Sequence, residues 1–278
     1  RNRILKLQKF LDSIQFTCND LNNIEVIIRV DNDDKTSISF LEEYKMKVNY
    51  DLYMILGERG GGYIDGPKWL ESFLEKAKGQ LIFYLADDAQ FLTKDWDTIL
   101  IDSYDKCKHG DKIVMFRTKH NQEENPAFPL FPVLTMEWIK VTGHFCQCYQ
   151  VDTELHFLSK LINRNILLES ITVFHDRPDH ETGISHGEVD KTFVEGRWLE
   201  SKKATKKGIQ VLSWKGKKMI IDDAIKLYLH IHPQAFLSSK IGRVFLKFLF
   251  FIKWRYIACG IKFFIPGAQK VHRYISKY

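Results

Sequence analysis

Hydrophobic and polar positions alternate with clear period along the first third of the chain. Ile4, Leu7, Leu11 and Ile14 recur at helical spacing, so residues 3–15 are expected to form an amphipathic helix. The run from Ile24 to Val30 is compact and β-branched, the composition of a buried strand, and it ends in Asp31-Asn32-Asp33-Asp34. Residues 36–46 read as a helix, Tyr50 to Leu56 as a strand, and Asp65-Gly66-Pro67 as the start of a further helix that stops at Gly79. The continuous run Leu81-Ile82-Phe83-Tyr84-Leu85-Ala86 closes on Asp87-Asp88 and predicts a buried strand with an acidic tip. Three strand-then-helix units in succession predict an α/β fold with a mainly parallel sheet flanked by helices.

The pattern continues beyond Asp88. Helices are expected at 95–104, 135–141, 153–163 and 188–200, and strands at 112–117, 144–151 and 166–174. Residues 118–132 contain Pro126, Pro129 and Pro132 and read as an irregular connection long enough to face an acceptor. From residue 236 the texture changes. Phe, Leu, Ile and Trp dominate, but Lys240, Arg243, Lys247, Lys253, Arg255 and Lys262 interrupt every apolar run. A spanning helix needs about 20 predominantly apolar residues. The spacing instead suits a basic amphipathic helix, lying in a membrane interface or packed on the domain. A catalytic domain over 1–218 and a helical appendage over 219–278 are therefore expected.

Composition adds constraints. With 45% hydrophobic and 27% charged residues, the chain belongs to the folded globular class and not to the disordered one. The net charge of +6 is modest, but the lysines at 202, 203, 206, 207, 215, 217 and 218 fall together, a solvated loop suited to an anionic partner. Five cysteines form no regular framework, which favours a reducing, cytoplasmic compartment. His144, Cys146 and Cys148 allow a zinc reading, but alternation along one strand explains them as well. The chain opens at Arg1 with no initiator Met and no signal-peptide pattern, as in a sequence cut from a longer chain.

The candidate chemistry sits at the strand tips. Ligands in open α/β sheets bind outside the carboxyl ends of the strands. Asp87 and Asp88 there can hold a hard divalent cation through oxygen, or simply open a turn. The glycines after Gly57 permit close backbone approach, and Arg59 offers a planar fork for phosphate. The spacing is not that of a P-loop.

Taken in order, Arg1-Asn2-Arg3, Arg29-Val30-Asp31-Asn32-Asp33-Asp34, Gly57-Glu58-Arg59-Gly60, Asp87-Asp88, Asp95-Trp96-Asp97 and His175 followed by Asp190-Lys191-Thr192 resemble GT-A glycosyltransferases of the family 2 type, including bacterial and viral members. The resemblance runs from Arg1 to about Gly196. It implies a GT-A-like, Rossmann-like domain that moves a sugar from a nucleotide-sugar donor to a hydroxyl acceptor, with Mn²⁺ or Mg²⁺ as cofactor. Asp31 and Asp33 match the tip that contacts base and ribose. Arg59 and Gly60 match the segment lining diphosphate and sugar, and Arg1, Arg3 and Asp87 are also assigned to the donor. Asp87, Asp88 and His175 match the metal site. Asp152 is the candidate base, with Glu154 second, and a direct displacement using it inverts the anomeric centre. The implied acceptor is a glycan or lipid-linked saccharide, placing the chain in glycan biosynthesis, and no nucleic-acid partner is expected. An anionic membrane surface is a further candidate partner, with the chain peripheral on the inner face.

Two departures stand out. Leu85 occupies the position where the family carries an Asp two places before Asp87, and the family's opening strand has no counterpart ahead of Arg1. The rivals are a nucleotidyltransferase-like enzyme and an inactive GT-A-like scaffold at a membrane.

Overall fold

The computed structural model describes residues 3–59, 65–121, 129–148, 151–176, 201–204, 210–212, 214–233 and 239–258. Helix α1 (Ile4–Thr17) buries Leu7, Phe10, Leu11 and Ile14, the stripe its spacing predicts. Strands β1 (Glu25–Asp31) and β2 (Asp51–Gly57) pair in parallel, Glu25 opposite Asp51 and Asp31 opposite Gly57, with α2 (Lys35–Lys45) crossing between them. Asp34 starts α2 as its N-cap. Its carboxylate accepts from the Ser37 N–H at 3.2 Å and the Ser37 hydroxyl at 2.8 Å, so the last acid of the first polar tip serves the helix.

Helix α3 (Gly66–Leu74) then leads to β3 (Leu81–Phe83), β4 (Ala89–Phe91), α4 (Trp96–Asp105), β5 (Met115–His120), β6 (Pro132–Thr135), α5 (Met136–Thr142), α6 (Val151–Leu161) and β7 (Asn165–His175). Five of these strands form one sheet in the order β3-β6-β5-β7-β4. Its pairing is mixed: β5 and β7 are parallel, whereas β6 runs antiparallel to β3 and β5, and β4 antiparallel to β7. Among the described residues the β1–β2 pair is not hydrogen-bonded to this sheet.

Alternation along β5 and its approach shows where the cores lie. Ile113 and Met115 join the cluster of α5, α6 and the C-terminal helices, while Val114 and Phe116 join the cluster of α1, α4, β1 and β2. Successive residues point to opposite faces of a strand, so the sheet carries a hydrophobic core on each side.

Several expectations need correction. The strand expected over 80–86 stops at Phe83. Tyr84 N–H still reaches Pro132 O at 3.0 Å, but Pro132 has no N–H to return, and the ladder ends there. Residues 144–148 do not form a strand, and β6 begins at Pro132, the last residue of the connection expected to be irregular, and runs to Thr135. The lysine-rich stretch holds β8 (Ser201–Ala204) paired antiparallel with β9 (Gln210–Leu212), then α7 (Trp214–Ile231). The boundary expected after residue 218 thus falls inside α7. That helix buries Ile220, Ile221, Ala224 and Leu227 in the same core as α5 and α6. The last described helix, α8 (Lys240–Ala258), packs on α6 and α7. The helix expected at 188–200 lies outside the described residues. No described helix is long and apolar enough to cross a membrane.

The Asp95-Trp96-Asp97 run has a structural role. Trp96 stacks on Phe91 with ring centroids 4.0 Å apart. The Asp97 carboxylate accepts from the N–H groups of Asn19 at 2.8 Å and Asp20 at 2.9 Å, fastening α4 to the end of α1. Burial alone raises the Asp97 pKa, but these N–H donors outweigh it and the net shift is downward. Asp97→Asn turns an amide NH₂ toward one of these donors and should cost about 1.5–3 kcal/mol. The lowered folded pKa stabilises the protein above the unfolded value of about 3.9, a gain lost as pH falls through the folded pKa. Urea unfolding of both proteins at neutral and acid pH checks this. Equal midpoints at neutral pH would remove the fastening role.

Candidate active site

The acidic pair lies in the turn between β3 and β4, closed by an Ala89 N–H to Ala86 O bond of 3.1 Å. Strand register brings the late histidine to it: β4 pairs with the end of β7, Ala89 opposite His175. A backbone bond from Asp176 N–H to Asp88 O at 2.8 Å continues the pairing. His175 Nε2 then lies 3.1 Å from Asp88 Oδ1. Its ring is held at the edge of Phe131, centroids 5.4 Å apart, and its backbone N–H donates to Asn121 Oδ1 at 2.7 Å.

The start of α1 supplies the counter-charge. Arg3 Nη1 reaches Asp87 Oδ1 at 3.0 Å, and Arg3 Nη2 bonds Asp88 Oδ2. Lys6 Nζ donates to Asp176 O at 2.8 Å on the same side. Asp88 is buried, and the Asp87 side chain is about one-third exposed. Burial raises the Asp87 pKa above the usual carboxylate range despite Arg3. For Asp88, burial is overcome by the facing imidazole and by Arg3, and its pKa falls to about 2. The ionised Asp88 carboxylate suits a cation, whereas the upward shift of Asp87 favours its neutral form. Asp88 Oδ1 is buried with no aligned hydrogen-bond donor, although the imidazole nitrogen faces it. A buried carboxylate oxygen facing an imidazole nitrogen is a donor set that a divalent cation fits.

At the tip of β1, Arg29 Nη1 pairs with Asp31 Oδ1 at 2.8 Å, its other nitrogen bonds Glu58 O, and its guanidinium sits 4.3 Å from the Trp69 ring centroid. Gly57 permits this. A Cβ there would stand 2.9 Å from Arg29 Nε, and the arginine is pinned on three sides. Asp31 is thus oriented by Arg29, while Asp33 and Arg59 lie exposed on the same two strand ends. Arg29 belongs to the run that carries the resemblance, but the sequence gives it no role; its place two residues before Asp31 is the usable signal. Arg1, Gly60 and the Asp190-Lys191-Thr192 run lie outside the described residues.

Asp152 falls in the first turn of α6, one residue inside a helix that was expected to begin at 153. Its Oδ1 accepts from Thr153 N–H at 2.7 Å, and burial raises its pKa. Three residues join α6 to β7, so the helix runs back along the strand. Glu154, the second candidate base, is turned elsewhere. It is 1% exposed, and its carboxylate accepts from Gln147 N–H at 3.0 and 2.9 Å and from Cys148 N–H. Burial pushes its carboxyl up to about 7 against the pull of these donors. These bonds also replace the strand expected over 144–151.

One further cluster had no sequence signal. His144, Glu154 and Asp223 present ligand atoms all within 4.8 Å of one another. Asp223 comes from α7, where His144 Nε2 meets its Oδ2 at 2.8 Å and Lys226 Nζ its Oδ1 at 3.0 Å. Burial opposes the Asp223 charge, but the His144 contact prevails and lowers its pKa. With both carboxylates already occupied by protein donors, the cluster ties the 144–148 loop to α7. Its members are one histidine and two acids, not the cysteines that a zinc reading required.

No family model and no curated protein matches the sequence. Solved structures do. A mannosyltransferase, PcManGT from Pyrobaculum calidifontis, in complex with GDP-Man and Mn²⁺, superposes with a TM-score of 0.54 at 12% identity, covering 93% of this chain and 84% of that one. GalNAc-T7, crystallised with UDP, GalNAc and Mn²⁺, superposes with a TM-score of 0.50 at 11% identity, covering 90% of this chain and 54% of that one. At such identities the likeness concerns architecture: this chain has the mixed α/β fold of GT-A-type glycosyltransferases.

Proposed function

We propose that this chain is a metal-dependent, inverting glycosyltransferase of the family 2 type, moving a hexose from a nucleotide-sugar to a hydroxyl acceptor in glycan biosynthesis. The observation that carries the reading is the meeting of His175 and Arg3 with Asp87 and Asp88 at the turn between β3 and β4. Asp88 and His175, with Asp87 beside them, would hold Mn²⁺ or Mg²⁺. The cation supplies Lewis-acid stabilisation of the departing diphosphate. Arg3 adds positive charge at the same point. Asp31 and Asp33 would take the base and ribose, and Arg59, Gly60 and Arg1 the diphosphate and sugar. Asp152 is assigned as the base. The acceptor oxygen attacks the anomeric carbon, its proton passes to the Asp152 carboxylate, and the bond from that carbon to the diphosphate oxygen breaks with its electron pair. The resulting inversion follows from a single displacement. Glu154 has no part in this chemistry, because its carboxylate is committed to backbone N–H groups. The acceptor is assigned as a saccharide, free or lipid-linked, and the compartment as cytoplasmic on the cysteine usage.

The test is nucleoside-diphosphate release across a panel of nucleotide-sugars, with and without Mn²⁺. Release that depends on both one donor and the cation is expected. Saturable donor binding with no release or transfer on any acceptor would instead make the chain a non-catalytic binding protein.

A further inference from the structure

We propose that the outward face of α8 is a docking surface for an anionic lipid bilayer. This goes beyond the sugar-transfer reading and does not depend on it. The helix Lys240–Ala258 contains no Asp or Glu and has two unlike apolar faces. The inner face is spent on the domain. Leu246, Phe250 and Trp254 are buried, Trp254 stacks on Phe157 of α6 with centroids 4.0 Å apart, and Phe250 meets Tyr228 of α7 edge-on. Lys253 fixes the same side by donating to Leu161 O at 2.7 Å and Asn163 Oδ1 at 2.9 Å.

The outer face stays in water. Ile241 is 75% exposed, Val244 63%, Phe245 40% and Phe248 62%. At about 100° per residue these four span one sector opposite Leu246, Phe250 and Trp254. No other described helix exposes so many large apolar side chains. Lys240 and Arg255 lie exposed within or beside that sector, while Lys247, paired with Asp222 at 3.3 Å, lies outside it toward Trp254.

Charge selects the occupant. In a symmetric contact with a second copy, the same cations would face each other across an apolar patch, which is repulsive. Anionic headgroups meet them favourably while the phenyl and aliphatic groups enter the acyl boundary. Because the inner face anchors the helix to α6 and α7, the patch is presented already ordered, with no folding cost on docking.

Deleting the helix would uncover Leu246, Phe250 and Trp254, so point variants on the outer face are the right probe. The full chain is sedimented with vesicles of phosphatidylcholine alone and of phosphatidylcholine containing phosphatidylglycerol. Binding to the anionic vesicles only is expected, weakened by salt. Phe245→Ser with Phe248→Ser should lower that partitioning by about tenfold or more with unchanged thermal unfolding. Lys240→Glu with Arg255→Glu should abolish the preference for the anionic lipid. Absence of vesicle binding by the unaltered chain, or equal binding by all three proteins, overturns the proposal. So does a face that controls self-association in sedimentation velocity without affecting vesicles. Donor turnover on a water-soluble acceptor should be untouched by these variants, which keeps this outcome separate from that of the transfer assay.

Discussion

Asp88→Asn should abolish cation binding and nucleotide-sugar turnover together while leaving the protein folded. The carboxylate is buried, already ionised at any working pH, and has one oxygen aimed at His175 with no aligned donor. An amide in its place removes the charge and presents an NH₂ either to the Arg3 guanidinium or to the imidazole, neither of which it can satisfy as a cation ligand would. Lewis-acid stabilisation of a leaving diphosphate is worth several kcal/mol, so turnover should fall by about 10³-fold or more. Mn²⁺ binding, followed by the loss of free-ion paramagnetic signal on titration, should weaken in parallel. Asp87 is more exposed and, among the described residues, is paired with Arg3, so Asp87→Asn should be the milder change. If Asp88→Asn bound Mn²⁺ as well as the unaltered protein, the turn between β3 and β4 would be structural only.

Asp152→Asn should separate binding from transfer. Donor affinity and cation affinity should persist, because no contact joins Asp152 to the turn at Asp88, while transfer to acceptor should drop by about 10²–10⁴-fold. The pH profile gives an independent handle. Burial raises the Asp152 pKa, and a base must be deprotonated to act. The acid limb of the transfer rate should therefore lie above the ordinary carboxylate range and move or vanish in the variant. Glu154→Gln offers the contrast. Its carboxylate holds Gln147 and Cys148 N–H groups, so the variant should lower the unfolding temperature and leave the acid limb in place. Transfer by Asp152→Asn at an undiminished rate would take that residue out of the mechanism.

Most local elements could be read from periodicity. The stripes of α1 and α6 and the β-branched run of β1 are spaced as the elements require, and those elements form within a residue or two of expectation. Asp87, Asp88 and His175 could be picked out as candidates because polar groups at strand ends are unusual in themselves. The misses trace to partners that periodicity does not register. The 81–86 run loses its second half because Pro132 cannot donate a ladder bond. The 144–148 segment is taken from strand by a glutamate several residues later and by an aspartate on α7. Asp97, one of the residues that carry the family resemblance, is used up by the Asn19 and Asp20 backbone.

The final helix shows the division most clearly. Its composition alone establishes that α8 is helical, basic and unable to span a bilayer, because helical spacing and the density of charge are local properties. Which of its apolar residues are available to a partner is not local. Phe157, Tyr228 and the carbonyl of Leu161 claim one side, and Ile241, Phe245 and Phe248 are left out. The same holds for the candidate centre. Acid and imidazole residues are visible one by one, but the 3.1 Å between His175 and Asp88 comes from the antiparallel register of β4 on β7, which pairs residues more than eighty positions apart.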